Sequence, residues 1–279
     1  MPSKTDLKKQ FFNEIWYWYL TGKWREGKAV RFPLLGKAMM TAYSALPGTP
    51  RCFECRVPLS GFGHAVLKPL GVGSSTFSSR LCNMCEKEAR KLEAGAEVEL
   101  SMLFADVRGS TSLAEATPTL EFKKLIERFY KAASEVLVQH DAMVNRLMGD
   151  QVIGLFVPRF AGSKHAQVAI ETALDILRAT GHEDPNGPWI PVGVGVHTGM
   201  AYVGAVGSGT GVNEIAVLGN APNLAARLSS QAADGEVVIS GESWQSAGRP
   251  PGEGERRDLT LKGISQPVPV RVLRVKAGQ

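Results

Sequence analysis

No stretch of the 279 residues stays apolar for the ~20 positions a membrane-spanning helix needs, so no integral membrane segment is expected. The first residues also lack the basic, apolar, small-residue order of a secretory signal, and the expected location is the cytoplasm. Basic residues are scattered, and no motif sets a recognition helix or an aromatic stacking platform beside them, which argues against nucleic acid as a partner. The chain has only four cysteines, too few for a disulfide scaffold, and all lie in two Cys-x-x-Cys pairs. In a reducing compartment such pairs point to a bound metal. The formal net charge of +5 suits an anionic partner without specifying one.

What is present fits a globular protein of one large domain plus something smaller, with 44% hydrophobic and 21% charged residues. Residues 1–49 carry an aromatic helix over about 6–24, with Phe11, Phe12, Ile15, Trp16, Trp18, Tyr19 and Leu20. Lys8, Lys9, Lys23 and Arg25 flank it, a composition compatible with a membrane surface. The apolar residues fall on most sides, however, which favours docking on the body or on a second subunit. Residues 50–95 hold Cys52, Cys55, Cys82 and Cys85 around a Gly- and Ser-rich loop. Four thiolates at this spacing suit tetrahedral, structural zinc with no open position; free buried thiols are the alternative.

Residues 96–279 read as an α+β domain. Val98, Leu100, Met102 and Phe104 alternate as a strand with one buried face. A helix is expected over Pro118–Gln139, a hairpin of strands Met143–Leu147 and Gln151–Val157 around Gly149-Asp150, and a helix over Ser163–Thr180. Strands follow over Ile190–His197 and Ala201–Val206, another near Ile215, a helix over Pro222–Gln231 and a strand at Val237–Ser240. The tail ends in strands near Leu259–Leu261 and Val268–Val275. Strand, helix, hairpin, helix, strand is the ferredoxin-like split βαβ arrangement with an antiparallel sheet.

Asp106 at a strand end and Asp150 in the adjacent turn put two carboxylates at one sheet edge, a donor set for Mg²⁺ or Mn²⁺; by themselves such aspartates also serve turns. Their surroundings carry more. Phe104-Ala-Asp-Val-Arg-Gly-Ser-Thr111, Leu147-Met-Gly-Asp150, Val194-Gly-Val-His-Thr-Gly199 and Leu218-Gly-Asn-Ala-Pro-Asn-Leu-Ala-Ala-Arg-Leu228 resemble, in order and spacing, the motifs of class III adenylyl and guanylyl cyclases. The resemblance runs from about Glu97 to Val275. It implies a homodimer whose two sites lie at the subunit interface, each built from both chains. It also implies two Mn²⁺ or Mg²⁺ ions per site on Asp106, Asp150 and the Val107 carbonyl, and a phosphate cradle of backbone at Phe104 and from Val107 through Gly109, Ser110 and Thr111. Asn223 and Arg227, four apart on one helix, would fix the ribose and stabilise charge on the α-phosphate, and Lys262 would hold phosphate from the partner subunit.

The chain departs from purine cyclases where they read the base. Arg146 stands in place of their lysine, and Ala216 in place of their Asp or Thr. Ala216 offers no acceptor to an exocyclic amine, and Arg146 offers a planar fork of donors to ring carbonyls. This pattern resembles the pyrimidine cyclases of Pycsar antiphage systems, which implies UTP as substrate, cUMP as product and a separate cyclic-nucleotide-dependent effector. An adenylate cyclase and a non-catalytic nucleotide-binding sensor remain the alternatives. Met200 replaces a phosphate-binding arginine of some mammalian domains, and His197, among Val192, Val194 and Val196, reads as a satisfied core or edge histidine. Gly207-Ser-Gly-Thr-Gly211 lacks the Gly-Lys-Ser/Thr of a Walker loop and reads as a flexible hairpin connection.

Overall fold

The computed structural model describes residues 4–25, 34–75, 77–207 and 213–275. In chain order the elements begin with α1 (Lys4–Thr21), α2 (Leu34–Ala45), α3 (Gly61–Leu67), α4 (Asn83–Lys91), β1 (Gly95–Val107), α5 (Ser110–Ala116) and α6 (Thr119–Gln139). Then come β2 (Met143–Met148), β3 (Gln151–Phe156), α7 (Pro158–Ala161), α8 (His165–Ala179), β4 (Val192–Gly207) and β5 (Asn213–Leu218). The chain ends with α9 (Asn220–Gln231), β6 (Glu236–Ser240), α10 (Gly241–Ser246), β7 (Glu255–Leu259) and β8 (Val268–Arg274). None of the described helices is long and apolar enough to cross a membrane.

Two compact units result. The first comprises Met1–Val98 and Tyr202–Val217. Its aromatic helix α1 docks by one side: Trp16, Tyr19 and Leu20 are buried while Phe11 stays 45% exposed. The Trp16 indole N–H donates to the Leu92 carbonyl at 3.2 Å, so a large apolar side chain enters the core with its one polar atom satisfied.

The second unit comprises Glu99–Ala201 and Leu218–Gln279. Its strands run in the order β2-β3-β1-β4-β6-β8-β7. The first four strands with α6 and α8 form the expected βαββαβ arrangement. Pairing is antiparallel for β1 with β3, β2 with β3, β6 with β8 and β7 with β8, and parallel for β4 with β6. Helix α6 buries Ile126, Phe129, Ala133, Val136 and Leu137, one stripe at helical spacing, and α8 adds Ile170, Ala173 and Leu177. Both pack on Leu103, Ala105, Val194, Val196 and Ile239. Around α9 a smaller cluster joins Leu228 to Val238, Leu261, Val270 and Val272.

Some expectations change. β1 is buried on both faces from Leu100 to Ala105, where one buried face was expected, and it lies between β3 and β4 in the sheet. The two strands expected on either side of Met200 are one, β4, since no residue between His197 and Ala201 takes the positive φ that would turn the chain. β7 ends at Leu259, where its pairing with Val268 ends, and Leu261 turns inward to the cluster under α9. Leu120, expected on the apolar stripe of α6, is 63% exposed.

Candidate functional site

β1 delivers Asp106 opposite Gln151 of β3, and the Val107 N–H donates to the Asp150 carbonyl at 3.0 Å. Gly149, at φ +64°, supplies the left-handed residue of the two-residue turn that holds Asp150. The Tyr130 hydroxyl donates to the Gly149 carbonyl at 2.7 Å and ties the turn to α6. Burial pushes the Asp106 carboxyl above the usual carboxylate range; Arg108 works against that shift, and neighbouring Asp150 adds to it. Arg108 forms an ion pair with Asp106, and the Ser110 hydroxyl donates to Asp150. Two half-buried carboxylates side by side are hard oxygen donors whose two negative charges the single Arg108 guanidinium offsets only in part, which fits a divalent cation such as Mg²⁺ or Mn²⁺.

Past Asp106, Gly109 sits at φ +65° with open space where a Cβ would project, and it starts α5. Phe104 is buried opposite Ile153, so only its backbone could face a ligand, whereas Thr111 is exposed and Ser110 half-buried.

Helix α9 rests directly on β4. A Cβ on Gly195 would lie 2.2 Å from the Ser229 nitrogen and 2.6 Å from the Ala225 carbonyl oxygen, so only glycine permits this approach. The helix presents exposed Asn223 and half-buried Arg227 to a cleft of about 520 Å³ that His197, Asn220, Glu242 and Gly263 also line. The Arg227 guanidinium lies against Gly263, next to exposed Lys262. Neither Asp106 nor Asp150 lines this cleft. One chain therefore holds a carboxylate group and an Asn–Arg group as separate constellations. Arg108, two residues after Asp106, also lies 3.5 and 3.4 Å from the Ser230 and Ala232 carbonyls at the end of α9. The sequence displayed Arg108 inside the first motif and Tyr130 on the α6 pattern, but nothing local assigned either a partner.

The two positions expected to read the base belong to different units. Arg146 pairs with Ile153 beside a register shift in the β2–β3 ladder, and its side chain lies outside the described residues. Ala216 is half-buried on β5, in the first unit. Met200 is 52% exposed. Most of the expected Gly207–Gly211 connection lies outside the described residues.

In the first unit the sulfurs of Cys52, Cys55, Cys82 and Cys85 all lie within 4.8 Å of one another, with Cys55 and Cys82 at 3.7 Å. Four sulfurs at about 2.3 Å from a tetrahedral zinc stand roughly 3.8 Å apart, so the cluster fits that ion. Hydrogen bonds shared among the four thiols hold Cys52 below the usual thiol range and push Cys55 and Cys85 above it.

His197 is buried as expected, but it belongs to a chain of side chains through the second unit. Its Nδ1 is 2.8 Å from the Ser240 hydroxyl, which leads through Ser243, Thr198 and Ser101 to Nδ1 of His165, also at 2.8 Å. Burial pushes both histidines below their usual pKa, outweighing the opposing pull of Glu99 on His165 and Glu242 on His197. The unfolded chain takes up these protons at about pH 6.5 and the folded chain only at lower pH, so stability falls as pH drops below about 6.5. Replacing both histidines by asparagine should flatten the fall of Tm between pH 6.5 and 5. An unchanged slope would assign the acid sensitivity to other groups.

The family model described as the adenylate and guanylate cyclase catalytic domain matches residues 92–265. An adenylate cyclase of Mycobacterium tuberculosis is 28% identical over 214 residues, covering 75% of this chain and 46% of the relative. One from Anabaena cylindrica is 24% identical over 198 residues, 70% of this chain and 36% of the relative. The chain thus spans less than half the length of these relatives. Among solved structures, the guanylyl cyclase Cya2 superposes with a TM-score of 0.59 at 24% identity, over 66% of this chain and 95% of that one. The adenylyl cyclase CyaB of P. aeruginosa gives 0.56 at 24%, over 65% and 97%.

Proposed function

This chain belongs to the adenylate and guanylate cyclase catalytic domain family, and from that premise we propose that it converts UTP to cUMP and pyrophosphate as a homodimer. The ribose 3′-hydroxyl gives up its proton to solvent as its oxygen attacks the α-phosphorus, the bond to the β-phosphate bridging oxygen breaks, and pyrophosphate leaves. Divalent cations on Asp106, Asp150 and the Val107 carbonyl would supply neutralisation of the triphosphate and acidification of the ribose hydroxyl. Asn223 orients the ribose, and Arg227 balances charge gathering on the α-phosphate, so that positioning and electrostatics carry the acceleration. Lys262 holds terminal phosphates, and the backbone from Val107 to Thr111, opened by Gly109, approaches them closely. The single observation that carries the two-chain site is that the Asn223–Arg227 cleft contains neither carboxylate of its own chain.

Arg146 and Ala216 support uracil. The base offers two carbonyls and no amine, matching a guanidinium fork and an alanine without an acceptor. The resemblance to Pycsar cyclases adds a role in antiphage signalling through a separate effector. A second reading, cAMP synthesis, rests on the adenylate cyclases among the relatives.

Competition among the four triphosphates at equal concentration, with products identified by mass, separates the two. UTP should be used with the highest kcat/KM, because a mismatched buried donor can cost up to about 10⁴-fold. Arg146→Lys with Ala216→Asp should move the preference toward ATP. A dominant cAMP product from the wild-type protein would overturn the uridylate assignment.

A further inference from the structure

The β7–β8 hairpin treats its two faces differently. On one, Arg257 meets Glu236 at 2.7 Å and Glu255 at 2.6 Å, and Arg274 meets the same two glutamates at 2.5 and 2.9 Å. Two guanidiniums there are matched by two carboxylates. On the opposite face Arg256 and Arg271 stand directly across from each other in the ladder. Like charges at such a pair repel, yet neither has an ion-pair partner among the described residues. Asp258 is on the same face but forms no ion pair with either arginine.

A third guanidinium joins them. Arg249, after α10, lies 5.7 Å from the Trp244 ring centre, and Arg271 lies 5.9 Å from the same ring. Arg249 pairs with Glu253 through Nη1, but its buried Nε–H has no acceptor. These groups surround a cleft of about 410 Å³ walled by Trp244 and Pro269, which shares no lining residue with the Asn223–Arg227 cleft. Three arginines against one glutamate, a buried donor without an acceptor and an apolar wall make an anion site with room for an organic group.

We propose that this cleft binds a small organic phosphate, its phosphate on Arg256, Arg271 and Arg249 and its apolar part against Trp244 and Pro269. Guanidinium forks match the oxygens of a dianionic phosphate bidentately, and a dianion removes the repulsion between the two facing arginines. The site needs no step of the cyclase reaction and stands whether or not the uridylate assignment holds.

The Trp244 indole N–H, which donates to the Pro250 carbonyl at 3.1 Å, is a local reporter. Its resonance, assigned by loss in Trp244→Phe, is followed in the full chain while inorganic phosphate or phenyl phosphate is added in buffer without Mg²⁺ or Mn²⁺. Both should give a saturable shift, with phenyl phosphate binding several-fold more tightly because of the apolar wall. Arg256→Gln with Arg271→Gln should weaken binding at least tenfold. Arg256→Glu, which sets opposite charges across the ladder, should raise the ligand-free Tm and abolish the response. A shift reproduced by sodium chloride at matched ionic strength would reduce the effect to screening and overturn the proposal. So would phosphate binding at Trp244 unchanged in both variants.

Discussion

Alanine at Asp106 or at Asp150 should lower kcat on the order of 10³-fold or more, since each removal takes away several kcal/mol of transition-state charge stabilisation. Stability should change little. Asp106 is half-buried and pressed against Asp150, so its loss relieves like-charge crowding, and Arg108 keeps the Ser230 and Ala232 carbonyls as neighbours. Circular dichroism and sedimentation should therefore report a folded protein of unchanged oligomeric state. Arg227→Ala should be inactive for a different reason, the loss of charge stabilisation at the α-phosphate. Mixing it with Asp106→Ala should restore one complete site per heterodimer, up to about a quarter of wild-type activity if the two subunits pair at random. Activity of either aspartate variant within a few-fold of wild type would end the metal assignment. Absence of recovery despite demonstrated subunit exchange would place both constellations in a site within one chain.

The second large effect concerns the four cysteines. About one zinc per chain should be found by elemental analysis, and removing it with a chelator, or replacing Cys82 by serine, should unfold the first unit. The helices next to the cysteines are short, with 7 residues in α3 and 9 in α4, and such lengths do not hold themselves in water. Cys82 caps α4, its sulfur accepting from the Cys85 N–H, and the buried Cys52 sulfur accepts from the Cys82 N–H. The metal would thus fasten both the loop and the start of the helix. Apparent binding energies of structural zinc, about 10–16 kcal/mol in zinc-finger peptides, exceed what so small a core provides. Loss of near-ultraviolet signal from the aromatic α1 would report the collapse, because Trp16 packs in the same unit. A zinc-free protein with an unchanged melting temperature would leave the cysteines as ordinary buried thiols.

Much of the second unit was legible because its signals are local. Alternation marks β1, an i, i+3, i+7 stripe marks α6, and a Gly-Asp pair between two apolar runs marks the hairpin. The short helices α3, α4, α5, α7 and α10 complete too few turns for a periodic stripe to mark them, and the longer α2 was not read from the sequence either. The single long β4 was missed for the opposite reason. Gly199 resembles turn punctuation in sequence, and only its extended backbone in the sheet shows that the strand continues. The apolar residues of α1 fall on most sides of the helix in sequence, and packing selects Trp16, Tyr19 and Leu20 as the buried side.

The sequence by itself determined where reactive groups could stand: Asp106 at a strand end, Asp150 in a two-residue turn, Asn223 and Arg227 one turn apart, and four cysteines in two pairs. Each of these placements follows from backbone geometry over a few residues. Tertiary structure alone decided what those groups face. Arg108 reaches carbonyls more than 120 positions away in the chain, the buried hydroxyl path, outside its local Ser240–Ser243 step, joins residues 43 to 97 positions apart, and Arg256 meets Arg271 only through strand register. Such partners carry no period and no spacing rule. They are fixed by the packing of whole elements, as where Gly195 lets α9 settle onto β4, and by the cost of leaving a buried polar group without a partner.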